Sequence, residues 1–377
     1  MAEVVLRYER MRYCKEYFDD VRLVADTMPD ITALLNKTIC ITGSTGMLCS
    51  AVVDIIALLN EEKDAHIKLI LAGRNKEKTD ARFEGLFKKN GYEFALYDAT
   101  KEGVRLPVAD YYIHGASNAD PAKMASEPVE TMLSNILGLK TVLDSAACAK
   151  GSRVLFISSG EIYGNPIVLE DQRSEKQHED LSEEYGGFTA ENALKENDYG
   201  YIDVLNPRAC YPMSKRAAET MCAAFYQEHG VDYVIARSCH AYGPGIAKGD
   251  SRATAAFTRN AALGKDIVMK SAGEQIRSYC YTLDSAAALL TILLHGNSCE
   301  AYNISNENSV VAIRDIAEEI AAAAGVRVVF ENPDDVEKKS YNMMKASVLD
   351  CSKLKELGWR AKFDLKSGVN RTLKFFK

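Results

Sequence analysis

Several common arrangements are missing from this chain of 377 residues. Its ten cysteines (Cys14, Cys40, Cys49, Cys148, Cys210, Cys222, Cys239, Cys280, Cys299 and Cys351) never form a C-x-x-C pair. Most stand in apolar runs such as KTICITG and ETMCAAFY, so they read as reduced, hydrophobe-like side chains, and neither a metal site nor a disulfide framework is expected. The opening residues MAEVVLRYERMRYCKEYFDD carry charge throughout and lack an apolar core and a small-residue cleavage site, so no secretory signal is expected. No charge-free stretch approaches the length that spans a bilayer, which makes a cytoplasmic protein without membrane contact the expectation. A positive balance is missing too: 46 Lys and Arg stand against 53 Asp and Glu, for a net charge of -7. That is the wrong sign for neutralising nucleic-acid phosphates, and any anionic ligand must be met by local arginines. There is no internal repeat and no low-complexity tract.

What is present is alternation. Residues 1–36 read as a charged, helical extension that serves packing or assembly. From Lys37 onward short β-rich runs (KTICIT, IKLILAG, EFALYDA, YYIHGAS, RVLFISS) alternate with helical ones (VVDIIALLN, TMLSNILGLKTVLDSAACAK). Such alternation implies right-handed crossovers and a parallel sheet covered on both faces. The expected fold is α/β, a Rossmann-type doubly wound parallel sheet with a smaller, discontinuous C-terminal substrate lobe. The Rossmann domain is expected over 37–236, interrupted by a polar insertion at about 170–206 that reads as an active-site lid. Residues 237–377 mainly build the substrate lobe, with a return to the Rossmann domain at about 276–300.

The first strand runs directly into Thr42-Gly43-Ser44-Thr45-Gly46-Met47-Leu48-Cys49, which opens a helix. Gly43 permits a tight turn and Gly46 lets backbone approach a pyrophosphate at the positive helix end. Gly43, Ser44, Thr45, Gly46, Met47 and Leu48 are therefore candidate NAD or NADP contacts. The third glycine of the usual fingerprint is absent; Cys49 takes its place as another small side chain. An acidic residue after the second strand is absent as well, and Arg74, which stands there, suits a 2′-phosphate.

Tyr211-Pro-Met-Ser-Lys215 opens an amphipathic helix, and Ser158-Ser159-Gly160-Glu161-Ile162-Tyr163-Gly164 ends an earlier strand. A spacing of four places the phenol and the ammonium on one helix face, where the cation favours the phenolate as a base. Ser159 could share the hydrogen bond to a substrate hydroxyl under oxidation, with the nicotinamide accepting hydride from the same carbon. A binding protein without activity would be expected to lose Ser159, Tyr211 or Lys215, and none is lost.

With the glycine turn, DYYIHGAS, EPVETMLSNILG, SSGEIYG, NPRACYPMSKRAAETMCAAFY, ARSCHAYGPG, IRSYCYTLD and EAYNIS in this order, the chain resembles the nucleotide-sugar epimerases, dehydratases and decarboxylases of the extended short-chain dehydrogenase/reductases. The resemblance implies cofactor contacts at Asp98, Ala99, Gly115, Ala116, Ser117, Tyr211 and Lys215, and a supporting role for Asn135. It implies substrate contacts at Ser117, His240, Arg252 and Arg277, the two arginines facing the nucleotide's phosphates or ribose. His240 stands where many relatives have asparagine. A homodimer through the helices bearing Tyr211 and Asn135 is also implied. The 4,6-dehydratases resemble SSGEIYG but carry an Asp at the position of Gly160, and 4-epimerases generally lack the glutamate at 161. Decarboxylases of UDP-glucuronate keep a hydroxyl residue and Glu161 without the Asp, and they resemble residues 207–222 well. Catalysis is expected from Ser159, Glu161, Tyr211 and Lys215, with decarboxylation the favoured reaction and epimerisation or dehydration the alternatives.

Overall fold

The computed structural model describes residues 13–88, 91–165, 193–247, 249–333 and 346–376. Its first helix, α1 (Lys15–Ala25), buries Tyr17, Asp20, Val21 and Val24 at helical spacing. That stripe lies on α2 (Met47–Glu62) and α8 (Thr282–His295). The Tyr17 hydroxyl donates to Asp54 at 2.5 Å and that of Tyr13 at 2.9 Å, so a carboxylate with no solvent exposure on α2 is satisfied by the extension. Residues 1–12 lie outside the described residues, as does the part of the expected insertion that falls within 166–192.

The central sheet contains β1 (Thr38–Thr42), β2 (Lys68–Gly73), β3 (Tyr92–Leu96), β4 (Tyr111–His114), β5 (Arg153–Ser159), β6 (Asp232–Ser238) and β10 (Glu300–Ile304). Its order is β10-β6-β5-β4-β1-β2-β3, and every pair is parallel. The chain winds outward from β1 in one direction to β3 and then in the other through β4, so β1 and β4 flank the switch point where such sheets take ligands. One face carries α5 (Pro128–Cys148) and α6 (Cys210–His229); the other carries α2 and α8. Apolar residues run around most of α2 and α8, consistent with their being enclosed on all sides.

The second lobe is built on β9 (Ile276–Tyr281), which pairs with β7 (His240–Tyr242), β11 (Val310–Ala312) and β13 (Ala346–Ser347). A two-stranded sheet of β8 (Ile267–Met269) and β12 (Val328–Phe330) adjoins it, with α7 (Ala253–Ala262) and α9 (Ile313–Ala324) packed alongside. Within residues 276–300, β9 belongs to this small sheet, and the chain returns to the central one only with α8 and β10. The C-terminal helix α11 (Leu365–Phe376) comes back to α1: Arg371 pairs with Asp20 at 2.7 Å, and the Phe375 ring meets Tyr17 edge-on at 5.4 Å.

Candidate active site

At the end of β1, Gly43 takes φ +68, and a Cβ there would lie 2.7 Å from the Ala116 nitrogen. Only glycine permits both the left-handed backbone and that approach to the strand-end segment Gly115-Ala116-Ser117. Gly46 is the N-cap of α2 and no side chain caps it, leaving the first amides of that helix to an anion. A Cβ on Gly115 would sit 2.3 Å from the Cys49 sulfur, so the larger residue at position 49 fills the space left by a glycine on the facing strand end. Thr42 Oγ1, bonded to His114 Nδ1 at 2.8 Å, also accepts from the Ala116 amide at 3.4 Å. Asp98 accepts from the Thr100 amide and hydroxyl at 3.0 and 2.8 Å. Burial pushes its carboxyl up, but these donors together with Arg74 and Lys101 hold it below the usual value. Arg74 itself is exposed just past β2, and the Ser117 hydroxyl is buried with no protein partner. An uncapped helix end, a glycine cradle and an orphaned hydroxyl at the switch point fit a dinucleotide.

On the other side of that cleft, β5 delivers Ser159, which accepts from the Glu161 amide at 3.1 Å and so caps the tight turn Gly160–Tyr163. Tyr211 and Lys215 are buried on the first turns of α6. Asn135 on α5 donates to Ser214 at 2.8 Å, fastening the two helices together beneath the pair. Lys215 Nζ donates to the Ile157 carbonyl at 2.7 Å and lies 4.7 Å from the centre of the Phe156 ring and 5.7 Å from that of Tyr211. Burial brings this lysine down to about 7, although Glu219 and Cys49 act to raise it. Burial pushes the Tyr211 phenol up to about 12, with Glu161 adding to the rise and Ser159, Arg252 and Arg208 opposing it. Burial is the largest influence on both side chains, and Ser159 with the two arginines favours the phenolate.

Glu161 pairs with Arg208 at 3.0 Å. Arg252 pairs with its neighbour Asp250 and acts on Tyr211. Arg277 lies on β9 with 3% exposure, donates to its neighbour's carbonyl at 2.8 Å, and responds electrostatically to Glu161. It is thus not a solvated surface charge, and both arginines reach toward the reacting end of the cleft. His240 feels both: burial, Arg277 and Arg252 bring it down to about 3, so its imidazole is neutral, and Nδ1 is buried without a partner. Arg208 was within the PRACY motif but carried no sequence signal of its own, because its pairing with Glu161 joins segments 47 residues apart. Among the described residues, no three His, Cys, Asp or Glu side chains gather as metal ligands, and all ten cysteines are unpaired.

The profile of the NAD dependent epimerase/dehydratase family matches residues 39–305. The chain belongs to that family. This member is 28% identical over 344 residues to UDP-glucuronic acid decarboxylase 1 of Xenopus tropicalis, a match covering 90% of this chain and 72% of the relative. In fold it is similar to the UDP-glucose 4-epimerase of Thermotoga maritima, with TM-score 0.69 and 22% identity, covering 90% of this chain and 98% of that one. It is also similar to a dTDP-glucose 4,6-dehydratase of Streptomyces venezuelae with NAD bound, with TM-score 0.70 and 19% identity over 90% and 96% of the two chains. It is an NAD(P)-dependent enzyme.

Proposed function

We propose that this enzyme oxidises a nucleotide-linked sugar at C4 and acts as a UDP-glucuronate decarboxylase-like lyase in the cytosol. The observation that carries this choice is at Gly160. The chain carries no acid there to assist a departing hydroxyl, and a Cβ would lie 3.1 Å from Leu349 Cδ1 and 3.3 Å from Cδ2, so an aspartate would also have to push Leu349 aside. Relatives named UDP-glucuronic acid decarboxylase support the same reading.

The residues at the site suit it. The amides of the Gly43–Leu48 turn, with Ser117 and Lys215, would hold the dinucleotide, whose nicotinamide supplies the hydride acceptor and returns the hydride later. Tyr211, hydrogen-bonded to Ser159, would take the C4 hydroxyl proton as the phenolate, the form that Ser159, Arg252 and Arg208 favour against burial. Once C4 is a ketone, a C6 carboxylate is β to it and departs as carbon dioxide without a proton donor at an oxygen; C5 then gains a proton. Arg208, Arg252 and Arg277 provide cationic charge near Glu161 and Tyr211, suiting an anionic sugar as well as phosphates.

A homodimer fits the exposed side of α5 and α6. Val129, Met132 and Leu133 there are 61%, 38% and 37% exposed, and Leu205 next to them is 90% exposed. An apolar groove between Pro128, Met132, Pro207 and Met213 continues that face.

Incubation with UDP-glucuronate, UDP-glucose and dTDP-glucose, with NAD or NADP, tests the reaction by mass spectrometry and NMR. Loss of carbon dioxide from the uronate is expected, and Glu161→Gln should abolish product while retaining cofactor binding. Loss of water, or isomerisation at constant mass, would replace this reading with dehydratase or epimerase.

A further inference from the structure

Behind the catalytic pair lies a second layer of charge that the chemistry above does not use. Glu219 follows Lys215 by one helical turn on α6. Its Oε1 accepts from the Ser158 hydroxyl at 2.5 Å and from Arg237 Nε at 3.1 Å, and its Oε2 accepts from Arg237 Nη2 at 2.7 Å. Arg237 is 2% exposed. Its other donors reach the Tyr163 hydroxyl at 3.1 Å, the Glu196 carbonyl at 2.6 Å and the Tyr199 hydroxyl at 3.1 Å, so the guanidinium is fully engaged.

We propose that Glu219 is a positioning residue of this site: it supplies the counter-charge for Lys215 and, through Ser158, fixes the strand end that presents Ser159. Arg237 holds that carboxylate in place and ties it to the segment around Glu196 and Tyr199.

The groups acting on Lys215 from each neighbouring element favour this role. From α2 comes Cys49, whose thiol burial pushes up to about 12. From β4 comes His114, which burial and Lys215 itself bring down to about 3, so it is a neutral imidazole. Strand β5 offers the Ile157 carbonyl and the Phe156 ring, and α6 offers the Tyr211 ring. None of these brings a negative charge at neutral pH. Glu219 does, and it is the larger of the two influences that raise this lysine against its burial. A neighbouring anion stabilises a desolvated ammonium far more than one across water would.

The test needs no substrate, so it is independent of which sugar reacts. Lysine labelled with carbon-13 is titrated in the NAD-bound protein, and Lys215 is identified by the resonance missing from Lys215→Met. In Glu219→Gln, which keeps the shape, Lys215 should lose its proton at lower pH, with a protonated fraction about tenfold smaller above the midpoint. Glu219→Asp should restore most of the wild-type behaviour, which a purely structural role would not predict. The double variant Glu219→Gln, Arg237→Met leaves no unpaired buried charge and should show a smaller shift in the same direction if the single variant fails to fold, because the more distant cation is lost with the anion. A Lys215 titration unchanged in whichever of these variants folds overturns the proposal.

Discussion

At Tyr211 and Lys215 burial acts in opposite directions on an acid and a base, raising one to about 12 and lowering the other to about 7. The spacing of four was readable in the sequence, and so was the strand end that carries Ser159. The balance of effects was not, because desolvation depends on Phe156, Cys49 and Ile157 closing over the ammonium from other elements. Arg208 and Glu219 escaped for the same reason: their partners Glu161 and Ser158 are brought near by the sheet, not by sequence. Cys49 is the reverse case. Its size looked like a departure from a glycine pattern, and the facing Gly115 explains how it is accommodated. Gly115→Ala should destabilise the protein by about 1–3 kcal/mol and weaken NAD binding, because the new methyl meets the Cys49 sulfur. Adding Cys49→Gly should recover much of both, as read by urea unfolding and by calorimetric titration with NAD. Equal losses in the single and double variants would show that the contact does not matter.

Among the elements, the alternation of strands and helices was legible because the parallel strands are apolar runs and the helices between them are long. The small lobe was less so: β7, β8, β11, β12 and β13 have two or three residues each, too few for a period to show. One tie between α8 and the C-terminal segment is Asp284 in the first turn of that helix. This side chain, 1% exposed, accepts from the amides of Lys362 and Phe363 at 2.9 and 3.0 Å. Burial raises its carboxyl to about 7, outweighing those donors. Between about pH 4 and 7 the folded chain then retains a proton that the unfolded chain has released, so this group's contribution is present in acid and lost as pH rises through 7. Urea unfolding of wild type and Asp284→Asn across that range should show the wild type losing stability relative to the variant as pH rises. A gap that stays constant with pH would refute the raised value.

For the whole molecule, the sequence pointed to two intertwined lobes and a paired assembly. The apolar residues on α5 and beside α6 would give such a pairing a surface, and charge placed there should break it. Met132→Glu combined with Leu205→Glu is expected to shift sedimentation from dimer to monomer without lowering the melting temperature by more than a few degrees. A wild-type protein that sediments as a monomer, or a variant that remains dimeric, would exclude this face.

The contact of α1 with α11 has a consequence for the order of folding during synthesis. Residues 365–376 leave the ribosome after every other element described here, yet they cover Tyr17 and neutralise Asp20 near the start. The large sheet can form around α2 and α8 beforehand, but α1 keeps an uncovered aromatic ring and an unpaired, buried-to-be carboxylate until α11 arrives. Nascent chains arrested before residue 365 should therefore carry a protease-sensitive beginning on an otherwise resistant body.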